Sequence, residues 1–220
     1  MLAVAALGLI GFLVALASAN MLAAPPQIFD PQASKLLGRW LYLTYQTNII
    51  CCTYFAACLA DGVLLESTNA QALLRLFPLI FALGSFLTIS YYALDHGNPE
   101  NYRRKERCRP MYPYVHWCSH LEHGHALPLV LLHCATVELP DDVSSLPTSR
   151  DARNIVAAYV LFYVLIVHIN KAHTGAWPYA VIDDMTRMGG MVLRSAFFAG
   201  LAAAFIFLGV GSIKLLQWRV

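Results

Sequence analysis

The sequence predicts an all-α protein, a polytopic bundle of about six helices that cross a bilayer. Three observations carry this. The 220 residues are 58% hydrophobic and 13% charged, about half the charged share of a soluble domain. Several apolar runs reach the roughly 20 residues that a helix needs to cross the hydrocarbon core. None shows the ~10-residue alternation of polarity that marks a membrane β-barrel strand. In lipid the backbone must satisfy its own hydrogen bonds, so such runs become helices.

The first run, Met1 to Ala24, carries no charge. Ala17-Ser18-Ala19 imitates a signal-peptide cleavage site, but the run lacks a positive n-region and exceeds the usual core length. A retained helix is expected, ended by Pro25-Pro26, because proline lacks an N–H and disfavours helix in the residue before it. The second run is Leu41 to Leu65, interrupted by Asp61 near its end. The third is Ala72 to Leu94, with Arg75 placed to snorkel. Asp95 to Pro113 reads as a polar loop. It holds Arg103, Arg104, Lys105, Arg107 and Arg109, a cluster suited to lipid headgroups. The fourth run, Tyr114 to Leu139, is unusually polar, and a Ser/Pro/Asp loop follows from Pro140 to Arg153. The fifth runs from about Asn154 to Ile169. Gly175 and Pro178 mark a loop that carries Asp183 and Asp184. The sixth is Met191 to Leu216, with Lys214, Trp218 and Arg219 as interfacial anchors.

Residues 1–220 read as a single membrane domain, without internal repeats or low-complexity tracts. The net charge of +2 gives no nucleic-acid signature. Six cysteines include no C-x-x-C pair, and five lie in apolar runs, so they read as small buried hydrophobes. Ten of the 15 basic residues fall on the side of the loops after the first, third and fifth helices. The positive-inside rule then puts both termini outside the cytoplasm.

Two segments hold residues that lipid disfavours. Ionised groups cost roughly 2.5–3.5 kcal/mol each at a helix centre on insertion scales. The fourth run nevertheless contains His116, His120, His123, His125 and His133, five of the eight histidines, together with Ser119, Glu122 and Glu138. Residues 116, 120 and 123 share one helix face. His125 lies nearly opposite. Pro128 removes the bond that the Gly124 carbonyl would accept and is expected to kink the helix beside His123. Three readings fit this stripe: a structural polar network, a metal site built from His at i and i+4, or a general acid or base. The second run opens Gly38-Arg39-Trp40-Leu41-Tyr42-Leu43-Thr44-Tyr45-Gln46-Thr47-Asn48, with Thr44, Thr47 and Asn48 on one face. A membrane-helix threonine taken alone bonds the carbonyl one turn back.

Together these blocks resemble a known family. Arg39-Trp40-Leu41-Tyr42-Leu43-Thr44 matches an R-W-x-x-x-T pattern. Trp117-Cys118-Ser119-His120-Leu121-Glu122-His123, followed by Pro128, is similar to W-x-N-H-x-x-H with proline five residues on. Thr174-Gly175-Ala176-Trp177 matches T-G-x-W. All three occur in order and register in the androgen-induced / androgen-dependent TFPI-regulating protein family of multi-pass membrane hydrolases. The resemblance implies a six-helix fold and an intramembrane threonine hydrolase of fatty acid esters of hydroxy fatty acids, in the endoplasmic reticulum or plasma membrane. It implies Thr44 as nucleophile and His123 as catalytic histidine, with no cofactor or metal. Ser119 stands where the family usually has Asn, and His133 where Glu is common.

On this reading His123 takes the Thr44 proton, and an acyl-threonine forms on a lipid ester substrate. His120, Asn48 and Ser119 are candidates to orient the histidine or hold the oxyanion. Thr47 rivals Thr44 on helical spacing alone; the family register favours Thr44. Two other readings remain open: a metal-dependent lipid enzyme using His116, His120 and His123, and a transporter or sensor whose His stripe lines a proton path.

Overall fold

The computed structural model describes residues 2–22, 36–64, 69–140 and 142–219, and every described element is helical. Helix α1 spans Leu2–Met21. A 3-10 turn, Gly38–Leu41, leads into α2, Leu43–Leu64. Helix α3, Ala70–Ser90, continues into one turn of π-helix, Tyr91–Asp95. Then come α4 (Pro99–Cys108), α5 (Val115–His123), α6 (Ala126–Thr136), α7 (Ser149–Thr174) and α8 (Ala180–Trp218). The expected stop at Pro25-Pro26 lies outside the described residues.

Among the described residues, five helices are long and apolar enough to cross a membrane: α1, α2, α3 with its π turn, α7 and α8. The fourth apolar run is not one helix. It breaks at Gly124 and His125 into α5 and α6, where Pro128 was expected to cause a kink. Leu161 and Phe207 on the bundle's outside are 71% and 78% exposed. Apolar surface of this extent needs lipid as its solvent, and the protein is an integral membrane bundle.

Helix α3 is the hub and packs against α2, α6, α7 and α8. Leu74, Phe77, Phe81, Leu83 and Leu87 bury different sides of it, as expected for a helix enclosed all round. Helix α1 lies against α2, α5 and α6. Gly8 of α1 meets the Phe55 ring while Asn20 approaches the Tyr45 hydroxyl, so α1 and α2 run antiparallel. A Cβ on Gly8 would stand 2.5 Å from that ring, so only glycine allows this approach. Five cysteines are buried, Cys52 is half-buried and all six thiols are free.

Two segments differ from the expected loops. Helix α4 lies within Asp95 to Pro113. Asn98 caps it through a bond from the Glu100 N–H, Pro99 opens it, and Lys105 and Arg107 close it, all favourable to a polar helix. Ala180 to Met188 is also helical and bends into the last span at Gly189 and Gly190. Gly190 has φ +60°, a conformation that favours glycine.

Candidate active site

The start of α2 is held from outside. Its first N–H groups have no partner within the helix, and the Leu43 N–H donates to the Tyr179 hydroxyl at 2.9 Å. The Tyr163 hydroxyl lies 3.3 Å from that oxygen and 3.4 Å from the Leu41 carbonyl. Gln46 Nε2 donates to the Trp40 carbonyl at 2.6 Å, and its Oε1 accepts from Tyr159 at 3.0 Å. Thr44, the second residue of α2, is therefore presented by a turn fixed on α7 and the loop before α8.

The end of α5 is anchored in the same manner. Its last carbonyls lose their helical partners at the break. The Glu122 carbonyl accepts from Asn48 Nδ2 at 3.1 Å. The His123 carbonyl accepts from the Thr88 hydroxyl at 2.6 Å, and the same hydroxyl accepts from the Leu127 N–H at 3.1 Å. Thr88 thus closes the end of α5 and the start of α6 together.

These anchors bring Thr44 Oγ1 to 3.1 Å from His123 Nε2. His123 Nδ1 faces the Ser119 carbonyl oxygen at 2.7 Å. A carbonyl only accepts, so Nδ1 carries the proton and Nε2 presents its lone pair to the threonine hydroxyl. The Tyr91 ring stacks on His123, with centroids 4.3 Å apart and planes at 14°. Tyr91 opens the π turn, a feature frequent at functional sites.

Thr44, Ser119, Glu122 and His123 line a cavity of about 270 Å³ at the end of the bundle near α4. Arg39, Asp95, Asn101, Arg104 and Lys105 line it too. The pair therefore sits at the polar end of the bundle, not at mid-depth. Thr47 is fully enclosed in the core, away from this wall. The Asn48 amide nitrogen is taken by the Glu122 carbonyl, and Asn48 does not line the cavity.

The histidine stripe divides among different partners. His116 Nε2 donates to Glu106 of α4 at 2.8 Å, and this bond holds the Glu106 carboxyl below its ordinary range. His120 Nδ1 is 3.1 Å from the Tyr92 hydroxyl, with the His96 ring 4.9 Å away. His125 packs on Phe12. His133 Nε2 meets the Tyr54 hydroxyl at 3.0 Å in the core. Among the described residues no three His, Cys, Asp or Glu side chains are grouped to hold a metal ion.

The chain matches the family described as FAR-17a/AIG1-like protein over residues 8–215. It belongs to that family. No curated protein and no solved structure matches it. In this FAR-17a/AIG1-like chain the three motif blocks meet around one cavity or support its wall. Arg39 and Thr44 come from the first block, Ser119 and His123 from the second. The third is a helix stop: Gly175 takes φ +74°, and the turn it makes leads to Tyr179, which caps α2. The Ser119 departure falls on a residue whose main-chain carbonyl, not its side chain, meets His123. Thr88, Tyr91 and Tyr179 escaped sequence reasoning. Each acts across the bundle, and nothing in its local sequence announces a partner.

Proposed function

We propose that this cavity hydrolyses lipid esters, with fatty acid esters of hydroxy fatty acids as the substrate class. The observation that carries the reading is the contact of Thr44 Oγ1 with the unprotonated Nε2 of His123. A neutral threonine hydroxyl is a weak nucleophile and needs an adjacent base. The base must lie within hydrogen-bond reach of the proton it takes, and 3.1 Å satisfies this.

In the proposed cycle His123 Nε2 takes the Thr44 proton as Oγ1 attacks the ester carbonyl carbon. The tetrahedral intermediate collapses, and the ester C–O bond breaks. The Nε2 proton passes to the leaving oxygen, which departs as the free hydroxy fatty acid. The acyl group remains on Thr44. His123 then takes a proton from water, whose oxygen attacks the acyl carbon. Collapse releases the fatty acid and returns the proton to Thr44. Neither half needs a cofactor. The position at the polar end of an apolar bundle suits a substrate with a polar linkage between lipid chains.

The test is covalent labelling by a fluorophosphonate, which reports an activated hydroxyl, with release of hydroxy fatty acid measured in the same membranes. Labelling and hydrolysis in wild type, both lost in Thr44→Ala, support the reading. Well-expressed wild type that neither labels nor hydrolyses overturns it.

A further inference from the structure

The charged wall of the cavity is unevenly partnered. Lys105 Nζ lies 3.3 Å from an Asp95 carboxylate oxygen and sits over the Tyr91 ring. Asp95 also accepts from Asn101 at 2.5 Å. Arg104 lies 3.3 Å from Glu100. Arg39 differs: among the described residues its guanidinium has no ion pair and no hydrogen bond. Glu122 faces the same cavity and is attracted by Arg39 and by Lys105, yet forms a salt bridge with neither.

A half-buried guanidinium without an anion is an unmet demand. Its donor fork matches a carboxylate bidentately. Arg39 lies in the 3-10 turn just before α2 and lines the wall that Thr44 lines. A ligand held by Arg39 is therefore held beside the nucleophile. The wall carries three cations and two acids, a balance that suits a singly charged group.

We propose that Arg39 is a specificity-determining residue that binds the free carboxylate of an acidic lipid ester. This rests on the hydrolase reading above. The acid end of the substrate then lies at the charged end of the cavity with its ester carbonyl at Thr44. The carboxylate-bearing fragment is the leaving group, and the plain acyl chain is what Thr44 retains. Glu122 is an acid of the same wall that Arg39 already attracts.

The test compares a fatty acid ester of a hydroxy fatty acid with its methyl ester, in which the carboxylate is neutralised. Hydrolysis by wild type, Arg39→Lys and Arg39→Gln is measured in membranes. Binding of the matching non-hydrolysable ether analogues is read by thermal shift of the purified protein. Wild type is expected to favour the acid by about tenfold or more in kcat/KM, the effect of a charged hydrogen bond. Arg39→Gln is expected to collapse that ratio toward one through KM, and Arg39→Lys to keep part of it. The acid analogue should shift wild type and not Arg39→Gln. An unchanged ratio in Arg39→Gln, with hydrolysis intact, overturns the Arg39 assignment and leaves the hydrolase reading standing. Binding of the acid analogue that depends on Arg39, without hydrolysis, does the reverse. No Arg39-dependent difference in either readout overturns the assignment.

Discussion

His123 reaches back one helical turn to the carbonyl oxygen of Ser119 at 2.7 Å, and that contact decides which ring nitrogen is basic. The other nitrogen then has one polar neighbour of consequence, the Thr44 hydroxyl. The side chain of Ser119 does not meet the imidazole: its hydroxyl donates to the Val115 carbonyl at 3.0 Å and lies within hydrogen-bond reach of the Tyr91 hydroxyl. Ser119→Ala is therefore expected to keep hydrolysis within about threefold of wild type, as for a substitution that removes no critical contact. The measurement is kcat/KM in membranes with matched expression. A loss of several orders of magnitude would assign the hydroxyl itself a role in the reaction.

Thr44 and Thr47 share a helix face by spacing, but only Thr44 reaches the cavity. Thr44→Ala should reduce turnover to background. His123→Ala should lower it by about 10²–10⁴, the usual worth of a positioned base. Thr47→Ala should label and hydrolyse like wild type. Inactivity of Thr47→Ala alone, in folded protein, would shift the nucleophile to that residue.

The Tyr91 ring covers one face of His123, fixing the plane in which Nε2 points. Tyr91→Phe retains the ring and should retain activity. Tyr91→Ala removes it and should cost up to about tenfold in kcat, in line with the worth of an aromatic pair. Equal losses in both variants would show that the hydroxyl matters more than the stack.

The spans were legible because lipid leaves a chain few options: an apolar run such as Leu2–Met21 or Ala70–Ser90 must be helical. Helix α4 was hidden by the same logic, since a search for apolar runs passes over a polar helix. Its signals were present in Asn98, Pro99 and Glu100, a cap, a first-turn proline and a first-turn acid. The break between α5 and α6 was half legible, from Pro128. Thr44 and His123 could be paired only through family register, because 79 residues separate them and spacing carries no information across that distance. Tyr179 and Thr88 lacked even this, being ordinary residues made important by what α2, α5 and α6 bring to them.

Thr88 offers the sharpest separation of structure from chemistry. Its hydroxyl donates to the His123 carbonyl and accepts from the Leu127 N–H, and the residue is buried. Valine has nearly the same shape and can do neither. Thr88→Val would leave a carbonyl and an N–H without partners at the break between α5 and α6, at about 1–3 kcal/mol for each buried group. The end of α5 would loosen, and with it the distance from Nε2 to Thr44 Oγ1. A reaction that depends on that contact falls steeply with small displacements. The expected result is a lower melting temperature in detergent and a fall in kcat of about tenfold or more. Thr88→Ser keeps the hydroxyl and should restore both. A Thr88→Val protein with the melting temperature and turnover of wild type would mean that the break is held by packing alone, through neighbours such as Val130 against Gly84.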